Sequence, residues 1–282
     1  MSNLVLRALT GAVIVAAIIA SIILGKFYFG ILFFVFTILG THEFFKMIEK
    51  SDIIAQKTFG TAVAGALYLL LWWVSYEPFN TLVPLNGNEP QRAMYLVIIV
   101  LLVFIIPIRE LYRTDSDQPI PNIATTLLGI VYVAVPFGLM NFMFRHKGVE
   151  TFHLLLGLFV ILWTADTFAY LVGSKIGKNR LFERISPKKS WEGSIGGLVA
   201  ALIAATIFSY FFKDISLTFW LGYAFVIVVA GAYGDLVESM FKRSLKIKDS
   251  GNILPGHGGI LDRFDAVFLA VPAAILYLMF IS

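Results

Sequence analysis

The chain contains no cysteine, which excludes disulfides and thiolate metal sites but does not fix a compartment, because proteins of oxidising compartments also do without it. Charge is scarce too. Only 14% of the residues are charged while 59% are hydrophobic, roughly half the charged share of a soluble domain, so the apolar surface exceeds what one aqueous core could hide. Familiar nucleotide and zinc motifs are missing. Gly177-Lys178 is followed by Asn179 and lacks a glycine five positions before Gly177, so it is no P-loop, and His42-Glu43 lacks the second histidine of a zinc helix. There is no internal repeat, no low-complexity stretch and no linker long enough to join a separate soluble domain.

What the chain has instead is long apolar runs. A helix needs roughly 20 apolar residues to cross about 30 Å of hydrocarbon, and such runs lie near 8–25, 27–48, 58–76, 92–110, 122–144, 152–173, 191–212, 216–240 and 263–281. They predict an all-α, polytopic transmembrane bundle of about nine helices, with five in residues 1–150 and four in a C-terminal region, 151–282, that carries the chemistry. The second run is the weakest, since Thr41, His42 and Glu43 interrupt it. The first resembles a signal peptide with its single Arg7, but no small-residue cleavage site follows Ile23-Leu24, so it is read as a retained span.

Nine spans divide the basic residues unevenly. One side holds only Lys26, Arg92, Arg145, Lys147 and Lys213, and the other holds the remaining 17 of the 22 Lys and Arg. The positive-inside rule makes the richer side cytoplasmic, with the N-terminus inside and the C-terminus on the opposite side. Trp72, Trp73 and Tyr76 close the third span as an aromatic belt does at the outer interface.

Carboxylates gather in the last third of the chain. Asp166 sits in the sixth span about seven residues, or ~10 Å, from its cytoplasmic end, where an ionisable group costs about 2.5–3.5 kcal/mol and calls for a polar cavity or a partner. The bland alternative is a carboxylate capped by Thr164 and Thr167. In the eighth span Asp235 and Glu238 share a face, with Lys242 three beyond Ser239. Asp262 and Asp265 stack on the first turn of the ninth. A helix N-terminus favours one acid by about 0.3–1 kcal/mol, but three acidic sites at cytoplasmic helix ends repel one another unless a cation lies among them. Hard oxygen ligands suit Mg²⁺.

Two basic loops flank these acids, one over residues 173–193 and one over 242–259. Either could be topogenic charge attracted to anionic headgroups. Gly256, Gly258 and Gly259, however, bare their amides around His257 and lead into a helix N-terminus, which together form an anion-holding nest. Ser190 can cap the seventh helix. Gly193 and Gly197 form a small-xxx-small pair, a sign of close helix packing.

Ser239-x-Phe-Lys-Arg243, then Lys248-Asp249-x-Gly251, then Leu254-Pro-x-His-Gly-Gly-Ile-x-Asp-Arg-Phe-Asp265 resembles the full signature of the phosphatidate cytidylyltransferases, or CDP-diacylglycerol synthases. The Asp166 helix and Ser186-Pro-Lys-Lys-Ser-Trp-Glu-Gly193 resemble upstream blocks of that family, in which threonine is commoner at position 190. The resemblance covers roughly residues 160–270; the first 150 match only as hydrophobic spans. It implies CTP + phosphatidate → CDP-diacylglycerol + pyrophosphate in phospholipid biosynthesis at the inner membrane. Mg²⁺ is the implied cofactor, K⁺ the implied second cation, and a homodimer the expected assembly. CTP, phosphatidate and membrane lipids are the partners, and no nucleic acid is expected.

On that reading Asp235, Asp262 and Asp265 are metal ligands, with Asp166 a fourth. Lys242, Arg243, Lys248, His257 and Arg263 bind or polarise phosphates beside Asp249, Gly258 and Gly259. Lys188 and Lys189 close over the site from the other loop, and Ser239 bonds a phosphate or completes a metal shell. A CTP-dependent transferase or kinase acting on a polyprenol or another lipid is the alternative within the same chemistry. From another class, an ion-coupled transporter would place its acids near mid-membrane with access from both sides.

Overall fold

The computed structural model describes residues 3–76, 90–114, 117–146, 149–254 and 258–281, which form nine α-helices at the positions of the nine apolar runs. These are α1 (Asn3–Leu24), α2 (Lys26–Ile48), α3 (Lys57–Val74), α4 (Pro90–Glu110), α5 (Pro119–Leu139), α6 (His153–Ile176), α7 (Trp191–Phe211), α8 (Leu217–Ser244) and α9 (Leu261–Ile281). Seven helices among the described residues, α5 being counted on to Phe144, are long and apolar enough to cross a membrane, and α1 holds a shorter apolar stretch, Leu9–Leu24. Pro107, Pro136 and Pro272 lie inside α4, α5 and α9, as membrane helices tolerate.

The chain divides into two compact units. The first comprises Met1–Phe142 together with Asp249–Arg263, and the second Met143–Lys248 together with Phe264–Ser282. The glycine-rich loop that the sequence groups with the C-terminal region therefore folds with the N-terminal helices.

In the first unit the interruption at Thr41, His42 and Glu43 leaves α2 unbroken, because each residue still makes its helical backbone bonds. Phe29, Phe33, Phe44 and Phe45 are buried along it. The ends of α3, α4 and α5 are tied by a polar network. Glu110 accepts from Gln56 Nε2 at 2.5 Å, Asn122 Nδ2 at 2.8 Å and Arg113 at 3.1 Å, which satisfies a carboxylate that would otherwise be costly to bury.

The second unit is built around the pairing of α6 with α7. Gly193, Gly197, Ala201 and Ala205 line the buried face of α7, while Ile195, Val199, Ile203 and Ile207 recur every fourth residue on its exposed face. Small residues inward and branched ones outward let two backbones approach closely in lipid. A Cβ on Gly197 would stand 2.6 Å from the Ala165 carbonyl oxygen, and one on Gly193 2.7 Å from that of Ala169. The small-residue spacing thus marks helix packing, as expected.

The segment between α6 and α7 is not simply a loop. It forms an antiparallel hairpin of β3 (Arg180–Phe182) and β4 (Ser186–Ser190), following a shorter pair, β1 (Arg145–His146) and β2 (Val149–Glu150), between α5 and α6. Glu192 pins the start of the later hairpin by accepting from the amides of Lys178 and Asn179 and from Asn179 Nδ2. Ser190 caps α7, its Oγ accepting from Gly193 N at 3.2 Å, which directs β4 into that helix.

Candidate active site

A cavity of about 550 Å³ in the second unit is lined by α6, α7, α8 and the β3–β4 hairpin. It brings Asp166 of α6 and Asp235 of α8 together with Arg180, Lys188 and Lys189. Gly173, Gly177, Gly193 and Gly197 all line it, where α6, α7 and the hairpin approach too closely for side chains. Asp166 is deeper than its spacing suggests, because α6 runs on to Ile176, which leaves ~15 Å of helix beyond it. Thr164 and Thr167 do not cap it. Their hydroxyls donate to the carbonyls of Val160 and Trp163, both at 2.7 Å, so the cavity is what accommodates this carboxylate.

Asp235 is half-buried and doubly held. Lys189 Nζ forms an ion pair with its Oδ2, and Ser239 Oγ donates to its Oδ1 at 3.2 Å. The basic hairpin is thereby joined to the acidic face of α8. Asp265, on α9 in the same unit, has Asp235, Asp166 and Lys242 as its electrostatic neighbours, and its Oδ1 accepts from Ala266 N at 2.7 Å. Its backbone oxygen stands 2.6 Å from where a Cβ of Gly234 would be, so α8 and α9 touch at glycine. Lys242 pairs with Glu238 at 3.2 Å. Arg243 braces the backbone, donating to Ile247 O at 3.1 Å and Ile185 O at 3.4 Å. Lys188 and Lys248 are exposed.

The remaining signature residues belong to the first unit, where the glycine-rich stretch differs from the expected phosphate nest. Gly258 does adopt the left-handed backbone, with φ of 83°, a conformation that glycine reaches at no steric cost. The amides beside it, however, face the protein's own carboxylates. Gly259 N donates to Asp262 Oδ2 at 2.9 Å, and Ile260 N and Leu261 N donate to Glu43 at 2.9 and 3.1 Å. Ser250 closes the cluster: its amide and hydroxyl reach Asp262 Oδ2, both at 2.9 Å, and the hydroxyl also bonds Glu43 Oε1. Asp249 and Arg263 are exposed, and His257 lies outside the described residues.

Residues 5–281 match the cytidylyltransferase family. The chain belongs to that family. The match reaches the N-terminal helices as well as the signature. Among relatives, the phosphatidate cytidylyltransferase of Haemophilus influenzae is 32% identical over 292 aligned residues that cover 98% of each chain. That of Bacillus subtilis is 31% identical over 94% of each chain. A Staphylococcus aureus phosphatidate cytidylyltransferase reaches 44% identity over 53% of this chain and 56% of its own.

Sequence reasoning passed over three residues here. Arg180 was one cation among many in a loop, and only the hairpin turns it into the cavity. Glu192 was visible as an acid in the first turn of a helix, but the amides it holds belong to the preceding turn. Glu43 carried the clearest signal, since a carboxylate inside an apolar span demands a partner just as Asp166 does.

Proposed function

We propose that the chain transfers the cytidylyl group of CTP to phosphatidate, forming CDP-diacylglycerol and pyrophosphate at the cytoplasmic face of the membrane. The observation that carries this reading is the cavity in which Asp166 and Asp235 face Arg180, Lys188 and Lys189; the family and the activity in its relatives' names support it. A phosphate oxygen of the lipid attacks the α-phosphorus of CTP, a new P–O bond forms, and the bond to the oxygen bridging the α- and β-phosphates breaks. Pyrophosphate leaves with that electron pair. No strong base is needed, since a phosphate monoester is largely ionised near pH 7.

Two polyanions must meet for this reaction, so neutralisation and positioning are the protein's main tasks. Lys188, Lys189 and Arg180 receive the nucleotide phosphates and steady the leaving pyrophosphate. Lys189 moves from Asp235 towards phosphate as the nucleotide enters, and Ser239 keeps the freed carboxylate oriented. Among the described residues no three His, Asp or Glu side chains come close enough to hold a metal by themselves. The four acids expected from the family resemblance therefore do not form one shared cluster; Mg²⁺ is commonly held by one or two carboxylates with water and substrate phosphates filling its other positions. Asp166 and Asp235 fit that role, with the Asp265 carboxyl close enough to interact with both. The chemistry supplied by bound Mg²⁺ is Lewis-acid neutralisation of the phosphoryl oxygens.

The excess of Lys and Arg on one side of the spans supports a cytoplasmic position for the hairpin and the signature loop. CTP does not cross membranes, so one assay tests both the activity and the face. Inverted vesicles holding the protein should release pyrophosphate from added CTP when phosphatidate is present and not otherwise; right-side-out vesicles should do so only after permeabilisation. Release that ignores phosphatidate would refute the reaction, and equal release from sealed right-side-out vesicles would refute the orientation.

A further inference from the structure

Glu43 is 1% exposed near the C-terminal end of the apolar helix α2, yet its contacts are with a segment more than 200 residues away in sequence. One oxygen accepts from Ile260 N, the other from Leu261 N and Ser250 Oγ. Glycine is required around it: a Cβ on Gly259 would collide with Glu43 and Ser250, and one on Gly251 would stand 2.8 Å from the Glu43 carboxylate. Packing alone does not explain an acid here, since burying a carboxylate is unfavourable unless its charge is used. The charge answers the unpaired amides at the start of α9. Through Ser250, whose hydroxyl bonds Glu43 while its amide donates to Asp262 Oδ2, it also bears on a carboxylate of the signature.

We infer that Glu43 is a positioning residue for cytidylyl transfer: it fixes the first turn of α9 and, through Ser250, the carboxylate of Asp262. This inference rests on the reaction proposed above. The resemblance of the signature implies that Asp262 is a metal ligand, and groups that orient such ligands typically alter metal affinity or activity 10–100-fold when removed, so the effect should fall on cation requirement and turnover rather than on lipid binding. Glutamine is the discriminating substitution. It preserves size, but it offers one oxygen and turns an NH₂ group towards donors that need an acceptor.

The test uses the full-length protein. Because the chain has no cysteine, Ile260→Cys places a single thiol at a position only 1% exposed, just before α9. Adding Glu43→Gln should speed its modification by a maleimide about tenfold, without any substrate or metal present. In turnover assays Glu43→Gln should raise the Mg²⁺ concentration for half-maximal rate about tenfold and leave the KM for phosphatidate within about twofold. Ser250→Ala should produce the same pattern, and the double variant should be little worse than either single one. If Glu43→Gln leaves both labelling rate and Mg²⁺ requirement unchanged while Glu43→Ala merely lowers the melting temperature, Glu43 is a packing residue and the inference fails. The labelling rate is read without substrates, so it decides the positioning role even if the proposed reaction fails its own assay.

Discussion

Replacing Asp235 by asparagine should lower cytidylyl transfer by about 10²–10³-fold, the range seen when one preorganised electrostatic group is lost from a transition state. The substitution is nearly isosteric and leaves Oδ1 in place for the Ser239 hydroxyl, so folding should be almost untouched. What disappears is the charge that holds Lys189 and that would hold a cation beside Asp166. A group that acts chiefly in the transition state lowers kcat and kcat/KM together. Steady-state kinetics at saturating Mg²⁺, paired with a melting curve, would show both. Near-normal turnover with an unchanged melting temperature would remove Asp235 from the site.

Gly197→Val should destabilise the protein by about 3 kcal/mol, at the upper end of the usual cost of overpacking. Most overpacked cores recover by shifting side chains, but here the nearest atom is the carbonyl oxygen of Ala165, 2.6 Å from the added Cβ. Backbone does not yield so easily. Moving α7 off α6 would also distort the cavity that Gly173, Gly193 and Gly197 line, so activity should fall along with stability. Unfolding in a mixed-detergent titration would measure the loss. Ile203→Val, on the exposed face of the same helix, is the control and should change little. A Gly197→Val protein as stable as wild type would mean that α6 and α7 do not pack through these glycines.

The helices were legible because bilayer thickness fixes how long an apolar run must be, and that constraint acts locally along the chain. The acidic face of α8 and the small-residue face of α7 were legible for the same reason: helical periodicity converts spacing into a surface. The hairpin from Arg180 to Ser190 was not. It contains Pro187, two lysines and no alternation of branched residues, and its hold depends on Glu192 reaching back to the Lys178 and Asn179 amides. Nor was the occupant of the α9 N-terminus. The glycines there announce that something approaches the backbone closely, and Gly258 needs its positive φ, but whether phosphate or a side chain takes the amides depends on Glu43, two hundred residues away. Long-range pairing leaves no periodic trace in sequence.

If the cavity of the second unit receives the nucleotide, covalent capture should show it most directly. A photoreactive azido-CTP, irradiated with the purified protein in the presence of Mg²⁺ and digested for mass spectrometry, should label peptides containing Asp166, the Arg180–Ser190 hairpin or Asp235, the residues that meet around the cavity. Excess unlabelled CTP should abolish the labelling, and Asp235→Asn should weaken it. Labelling that competes with CTP but falls only on helices α1 to α5 would contradict the account.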